Sequence, residues 1–436
     1  MSIALNGIIA FLFRGMNVAV AVGILLFCTN QMEAPDYGAL VLGLAIVGLV
    51  NSATGGLTAA TAYQIANQRR APGTVFANGG FIGMWLGALA VAGGVLVGQL
   101  AAGEAGAEAM AIGAACAAVI LNGVLAGAFL GQEALVRYNL ALVCPPLFAL
   151  LAIVVAFLSG APRSPDVALA MYAAGQWASL MVLGATGGVV PRRRIAIERR
   201  LVREIGRFAA VAGVASGISY LNYRADLFLV RHFEGKEGVA VYSIAVNIAE
   251  SVWQVSGSLA LAVYARIGSL ERADAAALTA RVMRHTVVLL GVVCGGLFLV
   301  ADGIEAVFPS DYEGMAAALR LLLPGVLLYG LAQSFAGFYT YQRGKPWVSS
   351  VVAGSGLIID LVLAAVLIPA MGVNGAALAS AIAYSAAILG GLAAFARSEG
   401  LGPREIFQFG RAEMDDYRAL ARRVRGVAAR PGRQSD

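Results

Sequence analysis

Apolar runs of about 20 residues recur from one end of this sequence to the other, and they are the feature that most limits its fold. A helix of roughly that length crosses the hydrocarbon core of a bilayer, and it satisfies its own backbone hydrogen bonds there. Hydrophobic residues make up 59% of the 436 residues, and charged residues only 13%. Soluble domains carry about 25% charged residues. The sequence therefore predicts an all-α, polytopic membrane protein.

Dividing the runs at glycines, prolines and charge clusters predicts twelve transmembrane spans. They cover residues 3–27, 37–60, 75–100, 109–131, 138–159, 167–188, 208–230, 238–265, 281–303, 315–338, 347–369 and 374–396. The spans form two blocks of six, separated by a dense basic segment. We predict an N-terminal lobe at residues 1–190, a basic cytoplasmic linker at 191–207, a C-terminal lobe at 208–397 and an arginine-rich cytoplasmic tail at 398–436.

Basic and acidic loops alternate along the chain. Arginine and lysine clusters follow the even-numbered spans, whereas loops after odd-numbered spans, such as "NQMEAPDY" and "ADGIEAVFPSDYEG", are acidic or nearly neutral. The positive-inside rule therefore places both termini in the cytoplasm. The basic loops indicate contact with anionic lipid headgroups and not with nucleic acid. For the tail, an amphipathic helix on the inner leaflet and a solvated tail both remain open.

Two local similarities, spaced about 200–210 residues apart, indicate that the two blocks arose by duplication. The segment "GAFLGQEALVRY" is similar to "GFYTYQRGKPW", and "YGALVLGLA" is similar to "EGVAVYSIA". Because each half holds an even number of spans, both halves have the same orientation. Secondary transporters built in this way carry the substrate path between the halves.

We single out six ionisable residues inside the predicted spans, and each costs on the order of 2.5–3.5 kcal/mol near a helix centre. They are Arg14, Arg224, Asp226, Glu250, Arg320 and Asp360. Such a cost makes a functional or pairing role the expectation for each of them.

Depth in the membrane separates these residues. Arg14, Glu250 and Asp360 lie near span centres, so we expect them to line a cavity, with a buried structural pair as the alternative. Arg224 and Arg320 lie closer to the outer face. For these two, a cavity role and snorkelling of the side chain toward water are equal alternatives.

Two motifs resemble those of the Wzx-type polysaccharide exporters of the multidrug/oligosaccharidyl-lipid/polysaccharide (MOP) superfamily. "LIPAMGVNGAALASAIAYSAAI", residues 367–388, is similar to their C-terminal signature. An Asp near the end of span 7 followed by Gly-x-x-x-Tyr-x-x-Ala is present as Asp226, Gly238, Tyr242 and Ala245. For Asp226, pairing with another helix and ion coupling are both open. The family often has Asn where this chain has Asp360, which adds a titratable group.

The resemblance implies a flippase with two six-helix lobes in a V, the MATE-like or MOP flippase fold, working by alternating access. Its cargo would be an undecaprenyl-diphosphate-linked oligosaccharide repeat unit, flipped across the bacterial inner membrane for O-antigen, capsule or exopolysaccharide synthesis. A polysaccharide polymerase or chain-length complex is an implied partner, besides membrane lipids. No cofactor is implied, and H⁺ or Na⁺ coupling is left open.

The resemblance also implies roles for the charged residues. A cationic cavity would hold the pyrophosphate through Arg14, Arg224 and Arg320. The acids would act in ion coupling or gating, through Glu250, Asp360 and Asp226. Spans 1 and 8 are expected to flank the opening between the lobes, which would bring Glu250 within reach of Arg14.

Three alternatives compete with this interpretation. A multidrug or cation antiporter of the same superfamily would not need the central Arg14. A lipid II flippase of that superfamily has fourteen spans, and the twelve predicted here favour the O-antigen or exopolysaccharide type. A membrane-bound polymerase or ligase would need a large catalytic outer loop, whereas the predicted outer loops have about 15 residues or fewer. We therefore predict no enzymatic chemistry and no metal site.

Overall fold

A computed structural model of the chain describes the backbone of residues 3–101, 103–189, 196–345 and 347–408. The centre of the basic linker and the tail from residue 409 lie outside these ranges, so the expectations for them stay predictions. Within the described ranges the chain is helical and contains no strand. Ten of its helical stretches are long and apolar enough to cross a membrane. The predicted fold class, an all-α multi-pass membrane protein, is confirmed.

Fifteen α-helices follow one another in the described ranges. They are α1 (Ile3–Gln31), α2 (Ala34–Thr54), α3 (Gly56–Ala66), α4 (Pro72–Ala101), α5 (Gly103–Gly131), α6 (Leu135–Leu158), α7 (Pro165–Thr186), α8 (Arg199–Ser251), α9 (Trp253–Ser269), α10 (Arg272–Glu305), α11 (Met315–Tyr329), α12 (Ala332–Gly337), α13 (Trp347–Met371), α14 (Val373–Glu399) and α15 (Pro403–Phe407). A 3₁₀ turn at Ser310–Tyr312 precedes α11, and a π-helical turn at Phe338–Gln342 follows α12.

The seventh and eighth predicted spans lie on α8 and α9, which are not among the ten stretches that are long and apolar enough to cross a membrane. Helix α9 has only 17 residues. Polar side chains, including those of Arg224 and Asp226, lower the hydropathy of α8. This helix turns sharply at Gly235, whose φ of 73° and ψ of −165° are accessible almost only to glycine. Gly235 therefore separates the two spans without an intervening loop.

Three predicted spans are not continuous helices. Short i→i−3 hydrogen bonds interrupt them, from Gly55 N–H to the Ser52 carbonyl, from Val252 to Ala249 and from Leu331 to Leu328. Such 3₁₀ turns within a helix often mark hinges or functional sites. The breaks at residues 55 and 252 lie 197 positions apart, close to the spacing of the two sequence similarities. Their equivalent positions support the duplication.

Contacts between Cα atoms divide the chain into two compact units. The first contains Met1–Ala245, Gly303–Ala316 and Ala364–Ala376, and the second contains Val246–Asp302, Ala317–Leu363 and Ala377–Asp436. The lobe boundaries that we drew from the sequence stay a prediction.

In the first unit, glycines allow α4 and α5 to pack closely. A Cβ atom added to Gly98 would lie 2.7 Å from the Gly106 carbonyl oxygen, and one added to Gly94 would lie 2.5 Å from that of Ala109. Gly87 similarly faces Ala117. Small residues at such an interface let helices associate in lipid through close van der Waals contact. The opposite face of α4 carries exposed apolar side chains that suit a lipid environment.

Candidate functional site

Arg14 lies near the middle of α1, most of whose other residues are apolar. At 1.5 Å per residue, it is about 17 Å from the start of this helix. Its side chain is exposed, as are those of Leu12 and Met16. Within the described part of the chain, Arg14 forms no ion pair. A guanidinium at this depth offers a fixed positive charge and a planar set of donors to an anionic ligand.

Glu250 lies in the second unit beside three aromatic rings. The hydroxyl of Tyr384 donates a hydrogen bond to Glu250 Oε1 at 3.1 Å. The rings of Trp253, Tyr329 and Tyr384 pack against one another with centroid distances of 4.8–5.5 Å. Tyr329 and Tyr384 are buried, whereas Trp253 and Glu250 are half-buried. We call these four residues the aromatic–carboxylate cluster.

A hydrogen bond to a backbone carbonyl and two helix breaks position this cluster. The indole N–H of Trp253 donates to the Val326 carbonyl at 2.9 Å. Trp253 begins α9 directly after the break at Val252, and Tyr329 ends α11 directly before the break that precedes α12. Two interrupted spans therefore contribute side chains to the same cluster. Broken helices of this kind often form the binding sites of transporters.

Asp360 is also in the second unit, and it is only 4% exposed. Its Oδ1 accepts a hydrogen bond at 3.0 Å from the hydroxyl of Ser380, which lies on α14. A buried carboxylate needs such a donor because its desolvation is expensive. The hydrogen bond from Ser380 therefore offsets part of the cost of burying Asp360.

Asp226 is buried in the first unit, and its side chain connects the two halves of α8. Tyr242 donates to Asp226 Oδ2 at 2.5 Å, and the backbone N–H of Leu227 donates to Oδ1 at 2.9 Å. Both Asp226 and Tyr242 belong to the second sequence motif. Their contact across the turn at Gly235 is the pairing that the sequence left open as one alternative for Asp226.

The two outer arginines have different surroundings. Arg320 forms a two-pronged ion pair with Asp302 at 2.8 and 2.6 Å, and its guanidinium lies 5.5 Å from the centre of the Phe298 ring. Because Asp302 is 76% exposed, this pair contributes little to stability. Arg224 is half-buried and donates to the carbonyl of Tyr223 at 2.8 Å.

The predicted site residues are distributed over the two units. Glu250 and Asp360 lie in the second unit, each with a hydroxyl donor. Arg14 and Asp226 belong to the first unit. The expected approach of Glu250 to Arg14 therefore stays a prediction.

The sequence reasoning missed the aromatic partners of Glu250. A Trp and two Tyr within apolar runs were the only signal, and they lie 55–131 positions apart.

Comparisons with known proteins rest on structure alone. No protein-family model matches the sequence, and no curated protein sequence matches it. The lipid II flippase MurJ in an inward closed conformation is similar with a TM-score of 0.70 and 12% identity, over 92% of this chain and 89% of that one.

Transporters of the multidrug resistance MATE family have similar folds. An inward-facing MATE transporter of the MOP superfamily matches with a TM-score of 0.65 and 16% identity, over 87% of this chain and 94% of that one. A MOP superfamily transporter from Pyrococcus furiosus matches with a TM-score of 0.61 and 15% identity, over 90% of this chain and 94% of that one. At these identities the likeness concerns the fold. This chain therefore has the fold of the MOP superfamily transporters.

Proposed function

We propose that this protein is a flippase that moves an undecaprenyl-diphosphate-linked oligosaccharide repeat unit across the bacterial inner membrane by alternating access. The unit would serve O-antigen, capsule or exopolysaccharide synthesis, and both termini would lie in the cytoplasm. The single observation that carries the proposal is Arg14, an exposed cation in the middle of an apolar helix.

The chemistry of the cargo explains why such a cation is needed. A diphosphate that crosses hydrocarbon must be neutralised along its path, because an isolated charge there is strongly disfavoured. Arginine stays protonated and presents paired N–H donors that match phosphate oxygens. Arg14 lies in the middle of a largely apolar helix, and no carboxylate in the described ranges pairs with it.

The fold supports transport of a lipid-linked cargo. One structure with this fold is that of a lipid II flippase, and others are those of multidrug transporters. Arg14 favours an anionic cargo over the organic cations of a multidrug antiporter, because a central arginine would repel them. In this proposal the carboxylates of Glu250 and Asp360 respond to H⁺ or Na⁺, and each accepts a hydrogen bond from a hydroxyl group.

Substitution of Arg14 tests the proposal in proteoliposomes. The assay follows a polyprenyl diphosphate that carries a fluorescent saccharide, with a membrane-impermeant reductant to quench the outer pool. We expect Arg14→Ala to abolish flipping and Arg14→Lys to retain part of it, since lysine keeps the charge but not the planar fork. The double change Arg14→Glu with Glu250→Arg should not restore flipping, because the cation has moved.

A loop arginine provides the matched control. Arg163 is exposed between α6 and α7, so Arg163→Ala should flip at the wild-type rate. Full flipping by Arg14→Ala, or full rescue by the double change, would contradict the pyrophosphate role. Proton- or sodium-driven efflux of ethidium, without any flipping of the lipid probe, would establish the multidrug antiporter instead.

A further inference from the structure

We propose that the aromatic–carboxylate cluster of Glu250, Trp253, Tyr329 and Tyr384 is a sugar-binding subsite. This inference rests on the proposed function, and it assigns the saccharide part of the cargo to residues of the second unit. The sugar would stack on the indole of Trp253 and donate its hydroxyl hydrogens to the carboxylate of Glu250.

The burial pattern of the rings supports a single stacking surface. Tyr329 and Tyr384 are 6% and 4% exposed and pack against Trp253, with centroids 4.9 and 5.5 Å from its ring. The half-buried indole is further held by its hydrogen bond to the Val326 carbonyl. The ring is thus fixed before a ligand arrives, which reduces the entropy lost on binding. A pyranose ring presents a flat patch of C–H bonds that matches such an apolar face.

The carboxylate supplies the polar half of the subsite. Glu250 lies three residues before Trp253 in the chain, and Tyr384 both packs on Trp253 and donates to Glu250 Oε1. An ionised carboxylate only accepts hydrogen bonds and has about four acceptor positions, so it can also serve hydroxyl groups. Apolar rings with a few oriented polar groups are typical of small-molecule sites.

Two other occupants suit the cluster less well. An acyl chain would cover the indole, but it offers no hydroxyl donor to the carboxylate of Glu250 beside it. An organic cation is best held by several open ring faces around its charge. Here two of the three rings are buried, and of these rings the indole of Trp253 is the one that is partly exposed. This arrangement fits a flat, hydroxyl-rich ring.

The proposal is tested by comparing the protein's affinity for a lipid with and without an attached sugar. Binding to the detergent-solubilised protein is measured for a polyprenyl diphosphate without sugar and for the same lipid carrying glucose, galactose or N-acetylglucosamine. We expect the wild-type protein to bind at least one glycosylated probe about ten-fold more tightly, the factor that one aromatic contact supplies. Trp253→Leu should remove this preference without changing the affinity for the sugar-free lipid, and Trp253→Phe should keep part of it.

Arg14→Ala provides the complementary variant, since it should weaken binding of all the probes by the same factor. Equal affinity of the wild-type protein for the sugar-free and all glycosylated lipids would overturn the sugar subsite and leave the proposed function standing. The same conclusion follows if Trp253→Leu keeps the preference. Failure of every lipid probe to bind the wild-type protein would contradict the proposed function, and the subsite with it.

A fluorescence measurement reports on the indole directly. The chain has four tryptophans, and replacing Trp85, Trp177 and Trp347 by Phe leaves Trp253 as the emitter. We expect the glycosylated probe, but not the sugar-free one, to change the emission of Trp253. A control protein that keeps only Trp85, on the exposed face of α4, should show no sugar-dependent change.

Saturable binding of tetraphenylphosphonium that Trp253→Leu abolishes would assign the cluster to an organic cation and overturn the sugar subsite.

Discussion

Three of the acids in the predicted spans each accept a hydrogen bond from a hydroxyl group. The pairs are Asp226 with Tyr242, Asp360 with Ser380 and Glu250 with Tyr384. A hydroxyl donor lowers the free-energy cost of burying a carboxylate. These hydrogen bonds therefore help to hold the three acidic side chains inside largely apolar segments.

At the residue scale, we expect Tyr242→Phe to destabilise the protein by about 1.5–3 kcal/mol, because buried Asp226 loses a charge-assisted hydrogen bond. A thiol-reactive dye can follow thermal unfolding, since Cys28, Cys116 and Cys294 are buried and free. The exposed Tyr63 provides the control, and Tyr63→Phe should change stability by about 0.5 kcal/mol or less. If Asp226→Asn and Tyr242→Phe had fully additive effects, the two side chains would not be coupled.

At the scale of the helices, one carboxylate in each half of the chain holds two arginines near predicted cytoplasmic loops. In the second half, Glu399 at the end of α14 accepts from Arg272 at 2.8 Å and from Arg343 at 2.9 Å. In the first half, Glu204 accepts from Arg70 at 2.8 Å and from Arg200 at 3.0 Å. Arg70 and Arg272 lie 202 positions apart, in agreement with the duplication. Each cluster joins the loop after its second span to the region after its sixth.

The two clusters differ in burial, which makes them a matched pair for experiment. The Glu399 side chain is 3% exposed and that of Glu204 is 34% exposed. We expect Glu399→Ala to lower stability by about 2–3 kcal/mol, because a buried carboxylate loses charged hydrogen bonds to two arginines. Glu204→Ala should cost about 1 kcal/mol or less, as is usual for solvent-exposed ion pairs. Equal unfolding temperatures for the two variants would show that burial does not set the strength of these clusters.

At the scale of the whole molecule, the orientation in the membrane follows from the distribution of arginine and lysine. Single cysteines are introduced at Glu104, Asp311 and Arg193 into a variant without native cysteines. An impermeant maleimide added to intact cells should label positions 104 and 311, because they lie in predicted outer loops. Position 193 should react only after the membrane is opened. Labelling of position 193 from outside would invert the topology and the direction of the proposed transport.

The sequence by itself determined the fold class and the positions of the spans. The lipid environment is the physical reason. Backbone groups in hydrocarbon must form their hydrogen bonds within their own helix, and a helix needs about 20 apolar residues to cross the bilayer. The C-terminal and Asp226–Tyr242 motifs also indicated the superfamily whose fold the chain has. Local similarity between the halves indicated a duplication that the helix breaks support.

Only the tertiary structure decided where the spans break and which side chain each acid contacts. Hydropathy predicts one uninterrupted span at residues 238–265 and another at 315–338. It depends on side chains alone, so it does not show whether a backbone N–H bonds to the third or the fourth preceding carbonyl. The partner of Glu250 lies 134 positions away on α14. A contact over that distance depends on how helices pack and not on local propensity, so the aromatic–carboxylate cluster could be recognised only after the chain had folded.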